Sequence, residues 1–269
     1  MVSNQNMSKQ QVQAQFGANA AAYATSQVHA RGASLARLVE LLRPQPHWQV
    51  LDVATAAGHT ALALAPHVAS VVAVDLTPAM LPVAARLARE RDVALALVAA
   101  DAEALPFVAS HFDLVTCRIA PHHFPDIGRF LRESARVLRQ GGTLAIVDNI
   151  VPGSRRRGKE AERLRDAGRY VNAFEKLRDP SHYRCLSLDE WAEAFQAAGF
   201  ELVHQEVAAK EMDFDEWAVR MQVSAENRVR LRAMLIQAPV AAQAFLTPQV
   251  IGDRIAFQLS EAIFIGTKT

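Results

Sequence analysis

Cysteine is scarce in this chain: Cys117 and Cys185 are the only two, and they stand far apart. Neither sits in a Cys-x-x-Cys or Cys/His spacing, which argues against a structural zinc site or a disulfide framework, and no metal is expected. Long apolar runs are missing too. Although 51% of the residues are hydrophobic, no uninterrupted stretch approaches the ~20 residues needed to cross a bilayer, so no membrane span is expected. Residues 1–15 are polar, without the apolar segment of a secretory signal, and the expectation is a cytoplasmic protein. Charge of one sign does not prevail either. With 29 Lys and Arg against 28 Asp and Glu, net +1, the chain has no global field to draw it onto nucleic acid or an anionic membrane. The one basic run, Arg155-Arg156-Arg157-Gly158-Lys159, reads as a solvated helix start.

What the chain does have is alternation. Apolar residues recur at helical spacing over residues 11–42 until Arg43-Pro44-Gln45-Pro46 breaks the pattern. Strand-like segments follow at 49–53, 71–75, 95–100, 112–117 and 143–148, with helical ones at 60–66, 78–91 and 127–138 between them. That rhythm predicts βαβ units and a parallel sheet. Gly141-Gly142 is placed to cap the helix before the fifth strand. Beyond Asp148 a charged helix is predicted over 155–177 as an insertion, and Ser187-Leu188-Asp189-Glu190 is a capping box opening a helix that Gly199 ends. A strand over 200–207, a helical stretch over 214–238 and a final strand over 254–267 complete the pattern. The 269 residues suit one domain, with a core at about 45–150 and helical cap segments at 10–42, 155–185 and 212–245.

The strongest local signal is the run from Val50 to Thr60, VLDVATAAGHT, in which a strand enters a turn of small residues and then a helix. Small side chains let backbone N–H groups approach a ligand closely. Asp75 ends the next strand, 23 positions after Asp52, where a carboxylate can accept from both hydroxyls of a ribose. Together they point to a ribose-bearing cofactor.

This run, followed by VVAVDLTPAMLPVA, AADAEALPF, FDLVTCRIAPHHF and FLRESARVLRQGGTLAIVDN, resembles the motif series of class I S-adenosylmethionine-dependent methyltransferases, close to the branch containing ubiquinone and menaquinone methyltransferases. The likeness covers residues 11–149 well and the remainder loosely. It implies a doubly wound, Rossmann-like, mostly parallel seven-stranded sheet with an antiparallel last strand and helical cap insertions. It also implies S-adenosylmethionine as cofactor and a small-molecule methyl acceptor as partner. Carried over by position, Asp52 and the turn Ala54, Thr55, Ala56 to Gly58 would hold the methionine end, and Asp75 the ribose. Leu76 and Met80 would pack near the adenine, whose edge would meet Asp101 and Ala102. Arg118 and Ile119 would line the opening toward which the methyl group points. Ala54 and Ala56 stand where the family usually has glycine, and an alanine there resists positive φ. Ala56→Gly is therefore expected to leave cofactor binding unchanged or tighter, and to lower the melting temperature through a more flexible unfolded chain.

Methyl transfer needs a base only when the acceptor must lose a proton. His122 and His123, after the fourth strand, lie where open α/β sheets place their ligands and are candidates for that base, with His123 preferred. Phe16 and Tyr23 share a face of the first helix and resemble the aromatic pair this branch folds over its cofactor, so Tyr23 joins the catalytic candidates. The tryptophans Trp48, Trp191 and Trp217 are expected to be packing residues. Two alternatives stay open: an S-adenosylmethionine-binding protein without methyl transfer, and an NAD-dependent oxidoreductase. The second fits less well, because the G-x-G-x-x-G spacing is absent.

Overall fold

The computed structural model describes residues 4–24 and 32–269, and for residues 4, 19 and 21–24 their backbone only. Helices α1 (Asn4–Ala24) and α2 (Ala33–Leu42) precede the sheet. Then β1 (Gln49–Val53), α3 (His59–Leu64), β2 (Ser70–Asp75), α4 (Leu81–Glu90), β3 (Ala96–Ala99), β4 (Phe112–Arg118), α5 (Ile127–Val137) and β5 (Leu138–Ile150) alternate as expected. The second half holds α6 (Lys159–Arg178), α7 (Leu188–Ala197), β6 (Phe200–Asp213), α8 (Phe214–Arg220), α9 (Ala225–Ile236), α10 (Val240–Leu246), β7 (Gln249–Ile251) and β8 (Arg254–Lys268). No helix among the described residues is long and apolar enough to cross a membrane.

The sheet runs β3-β2-β1-β4-β5-β8-β6 and has eight strands, one more than expected, because the short β7 pairs with β8 through a hairpin at Gly252-Asp253. β1 to β5 are parallel and β8 is antiparallel to both β5 and β6. Parallel strands covered on both faces need continuous apolar runs, and Val50, Leu51, Leu114, Val115, Leu144 and Ile146 are all fully buried. One face packs on α5 and α7 through Phe130, Trp191 and Phe195, the other on α2 and α3 through Leu38 and Leu64. A separate apolar cluster joins α6, α8, α9 and α10 to the start of β8, where Phe174 stacks on Trp217 at 4.9 Å.

Two local expectations are corrected. Gly141-Gly142 does not cap a helix: α5 ends at Val137, Leu138 already pairs with Phe112, and the register shifts before Leu114↔Thr143. Gly141 (φ +73°) and Gly142, whose added Cβ would meet the Arg139 carbonyl oxygen at 2.8 Å, absorb that irregularity inside β5. The stretch 214–238 is not one helix either. Gln222 takes a positive φ of 54°, and the Ser224 hydroxyl accepts from Asn227 N–H to start α9 afresh. The capping box at Ser187 and Glu190 forms as expected.

Candidate active site

A cavity of about 580 Å³ opens at the carboxyl ends of the parallel strands, a size usual for small-molecule sites (roughly 300–1,000 Å³). Its wall includes Asp52, Ala54, Thr55, Ala56, Asp75 and Leu76 from the first two βα turns, and Asp101 and Ala102 after β3. Arg118, Ile119, His122 and His123 join from the end of β4. Two expected residues do not line it: Met80 is buried beneath, and Gly58 (φ +84°) packs its α-carbon side against Ala84 of α4. The side chain of Tyr23 lies outside the described residues.

Asp52 is buried under the turn, where its carboxylate accepts from the hydroxyls of Thr55 (2.6 Å) and Thr116 (2.7 Å). It thus ties β1 to β4 and braces the loop; burial raises its pKa, with those hydroxyls and nearby Arg118 opposing. Asp75 accepts from Ala56 N–H (2.8 Å) through Oδ2 and from Thr77 N–H (2.7 Å) through Oδ1. Those bonds hold the small-residue turn against the end of β2. Asp101 accepts from Lys9 Nζ at 2.7 Å, and the same ammonium reaches Glu103 at 2.6 Å. From α1, Gln13 also donates to the Leu76 carbonyl (2.8 Å) and Phe16 meets the His123 ring edge-on at 5.0 Å. The first helix therefore lies along one side of the cavity.

The histidines differ sharply. His122 Nδ1 lies 2.6 Å from Asp148 Oδ1, and although burial pushes its pKa down, the Asp148 carboxylate outweighs this and the net shift is upward from the usual 6.5. His123 faces the Ser181 carbonyl at 3.0 Å, and burial, with His122 beside it, lowers its pKa to about 3. Its preference as base does not agree with that environment. Sequence reasoning missed Asp148, two residues before the end of β5 and near the same sheet edge where Asp75 ends β2; an acid close to the carboxyl end of a parallel strand was the available signal. It also missed Glu175 and Asp179, brought to the cavity by the insertion helix and the residues after it, and Lys9. Among the described residues no three His, Cys, Asp or Glu side chains are placed to hold one ion.

The family described as a methyltransferase domain matches residues 51–146. An uncharacterized methyltransferase of Bacillus subtilis, YcgJ, is 34% identical over 258 residues, 94% of this chain and 97% of the relative. The chain belongs to the methyltransferase family. The crystal structure of B. subtilis YcgJ protein superposes with a TM-score of 0.79 at 32% identity, covering 87% of this chain and 97% of that one. A demethylmenaquinone methyltransferase of Thermus thermophilus is 38% identical over 114 residues, 42% of this chain and 52% of its own.

In this methyltransferase the alanine-bearing turn keeps left-handed geometry without glycine: Ala54 has φ +54° and Ala56 φ +48°. Each such L-residue costs roughly 1–2 kcal/mol, more than the roughly 0.4–1 kcal/mol of unfolded-state entropy that a glycine would cost. The expected drop in melting temperature for Ala56→Gly is thereby reversed in sign. Ala54→Gly and Ala56→Gly should each stabilise the methyltransferase by up to about 1 kcal/mol, read as a higher midpoint in thermal denaturation.

Proposed function

We propose that this methyltransferase moves a methyl group from S-adenosylmethionine to a small-molecule acceptor. The observation that carries the proposal is the convergence of the 54–56 turn, Asp75 and the Asp101-Ala102 pair on one cavity that continues to His122 and His123. The residues fit the cofactor. Each Asp75 oxygen is engaged by a single backbone N–H, so lone pairs remain to accept from two ribose hydroxyls. Leu76 offers an apolar surface beside it for a base, and Asp101 can share its carboxylate between Lys9 and an exocyclic amine. The small turn leaves room for the methionine end, with Asp52 bracing it from behind. When bound, the cofactor supplies a methyl carbon already activated by sulfonium, so the protein's own part is to align the acceptor and exclude water. α1, α6 and α8 serve as the cap, contributing Phe16, Glu175 and Trp217 to the acceptor side.

Isothermal calorimetry with S-adenosylhomocysteine tests the cofactor half, and absence of heat at millimolar ligand overturns it. Incubation with methyl-labelled cofactor and an acceptor panel tests the transfer half: a protein that holds the cofactor without ever forming S-adenosylhomocysteine is a binder and no transferase.

A further inference from the structure

Three imidazoles meet at the acceptor side, with ring centroids 4.2 Å apart for His122–His123 and 5.5 Å for His122–His182. Their hydrogen bonds assign each a different state. His123 Nδ1 faces the Ser181 carbonyl, which can only accept, so Nδ1 carries the proton. His182 Nε2 lies 2.9 Å from Asn172 Oδ1, an oxygen identified as such because Cys185 N–H donates to it at 2.7 Å. His182 Nε2 therefore carries its proton, and burial with the charge of its neighbours lowers its pKa to about 2. Both rings stay neutral and are weak bases.

His122 is built differently. Asp148 is fully buried; its Oδ1 meets His122 Nδ1 and its Oδ2 has no hydrogen-bond partner among the described residues. The carboxylate thus serves one imidazole, fixes the proton on Nδ1 and leaves the Nε2 lone pair for a ligand. The backbone that carries the ring is anchored as well, since the His122 carbonyl accepts from the N–H groups of Tyr183 (2.8 Å) and Arg184 (2.9 Å). The other charges felt by His122 are the carboxylates of Asp179 and Glu175, both of which favour its protonated form.

We infer that His122 is the general base of this methyltransferase, with Asp148 as its positioning residue, and that the acceptor presents a weakly acidic hydroxyl, phenolic or enolic. The inference rests on the methyl-transfer reading above. A histidine base working near neutral pH takes a proton most readily from an acidic hydroxyl, and a phenol, with a pKa of about 10, is far more acidic than an ordinary alcohol. In the step, His122 Nε2 takes the hydroxyl proton as the oxygen forms its bond to the methyl carbon. The carbon–sulfur bond breaks with its electron pair left on sulfur, which becomes neutral. The positive charge ends on the His122 imidazolium, facing Asp148, and leaves as a proton to solvent.

The test needs no turnover. Para-nitrophenol, whose anion is coloured, is titrated against pH in the presence of the protein saturated with S-adenosylhomocysteine. The wild-type chain should bind it as the anion and shift its apparent ionisation at least tenfold toward acid. Asp148→Asn keeps an oxygen for Nδ1–H but removes the charge, and should lose most of that shift while calorimetry shows unchanged S-adenosylhomocysteine affinity. His122→Gln should abolish it, and His122→Gln/Asp148→Asn does the same without an unpaired buried carboxylate, should the single variant fail to fold. Cofactor binding with unaltered probe absorbance, or a shift retained in Asp148→Asn, overturns the inference. Absence of cofactor binding instead overturns the methyl-transfer reading.

Discussion

Asp75→Ala will bind S-adenosylhomocysteine roughly 10- to 150-fold more weakly than the wild-type chain, the equivalent of about 1.5–3 kcal/mol for hydrogen bonds to a charged group. Two losses add. The ribose hydroxyls lose their acceptor, and the N–H groups of Ala56 and Thr77, which now point at the carboxylate from 2.8 and 2.7 Å, are left without one. Since Ala56 already sits at positive φ, a turn released from Asp75 will relax away from its strained conformation. The effect should therefore fall toward the upper end. Asp75→Asn, which keeps one acceptor oxygen, should lie between the two. Calorimetry measures the affinities, and circular dichroism confirms that the sheet persists. An unchanged affinity in Asp75→Ala removes this residue from the site, and NAD should bind the wild type no better than the variant.

Gly168→Ala will lower the melting temperature, against the usual direction for a glycine inside a helix, where alanine gains roughly 0.5–1 kcal/mol. The reason is contact. A Cβ at residue 168 would run into the Pro152 carbonyl oxygen and stand 3.4 Å from Val151 Cγ2, so α6 must withdraw from the chain that leaves β5. Overpacking costs typically 1–3 kcal/mol and occasionally more, and a backbone oxygen cannot step aside as a flexible side chain would. A loss of about 3 kcal/mol corresponds to a fall of roughly 6–12 °C for a domain of this size. The same shift would carry Glu175, further along α6, away from His122. Differential scanning calorimetry reads the outcome, and a higher midpoint would mean that α6 does not lie against residues 151–152.

These two substitutions mark different degrees of legibility. Asp75 could be named from sequence because a strand ending in an acid, a fixed interval after a small-residue turn, is a local pattern with one dominant use. Gly168 could not, because nothing in the helical run around it announces that a carbonyl from the end of β5 will press against it. The same divide separates the two ends of the active site. The turn at residues 54–58 was legible down to its anomaly, Ala54 and Ala56 at glycine positions, yet the expected stability effect of glycine there changes sign once the backbone angles show strain already present. Between adjacent His122 and His123, sequence offers no ground for choice, and the preference for His123 does not agree with its buried environment. What distinguishes them is Asp148 on one side and Ser181 on the other.

By itself, the sequence determined the alternation of strand and helix, the capping box at Ser187, the acids that end β2 and follow β3, and hence the family of the fold. Each depends on residue spacing along a single element or turn, where periodicity and backbone preference act over a few residues. Tertiary structure alone decided the bulge at Gly141-Gly142, the Lys9 bridge to Asp101 and Glu103, the pairing of His122 with Asp148, and the delivery of Glu175 and Asp179 to the cavity. Those contacts join residues from different elements, and two histidines that share the same local chemistry come to differ because a buried carboxylate is hydrogen-bonded to one and a backbone carbonyl to the other.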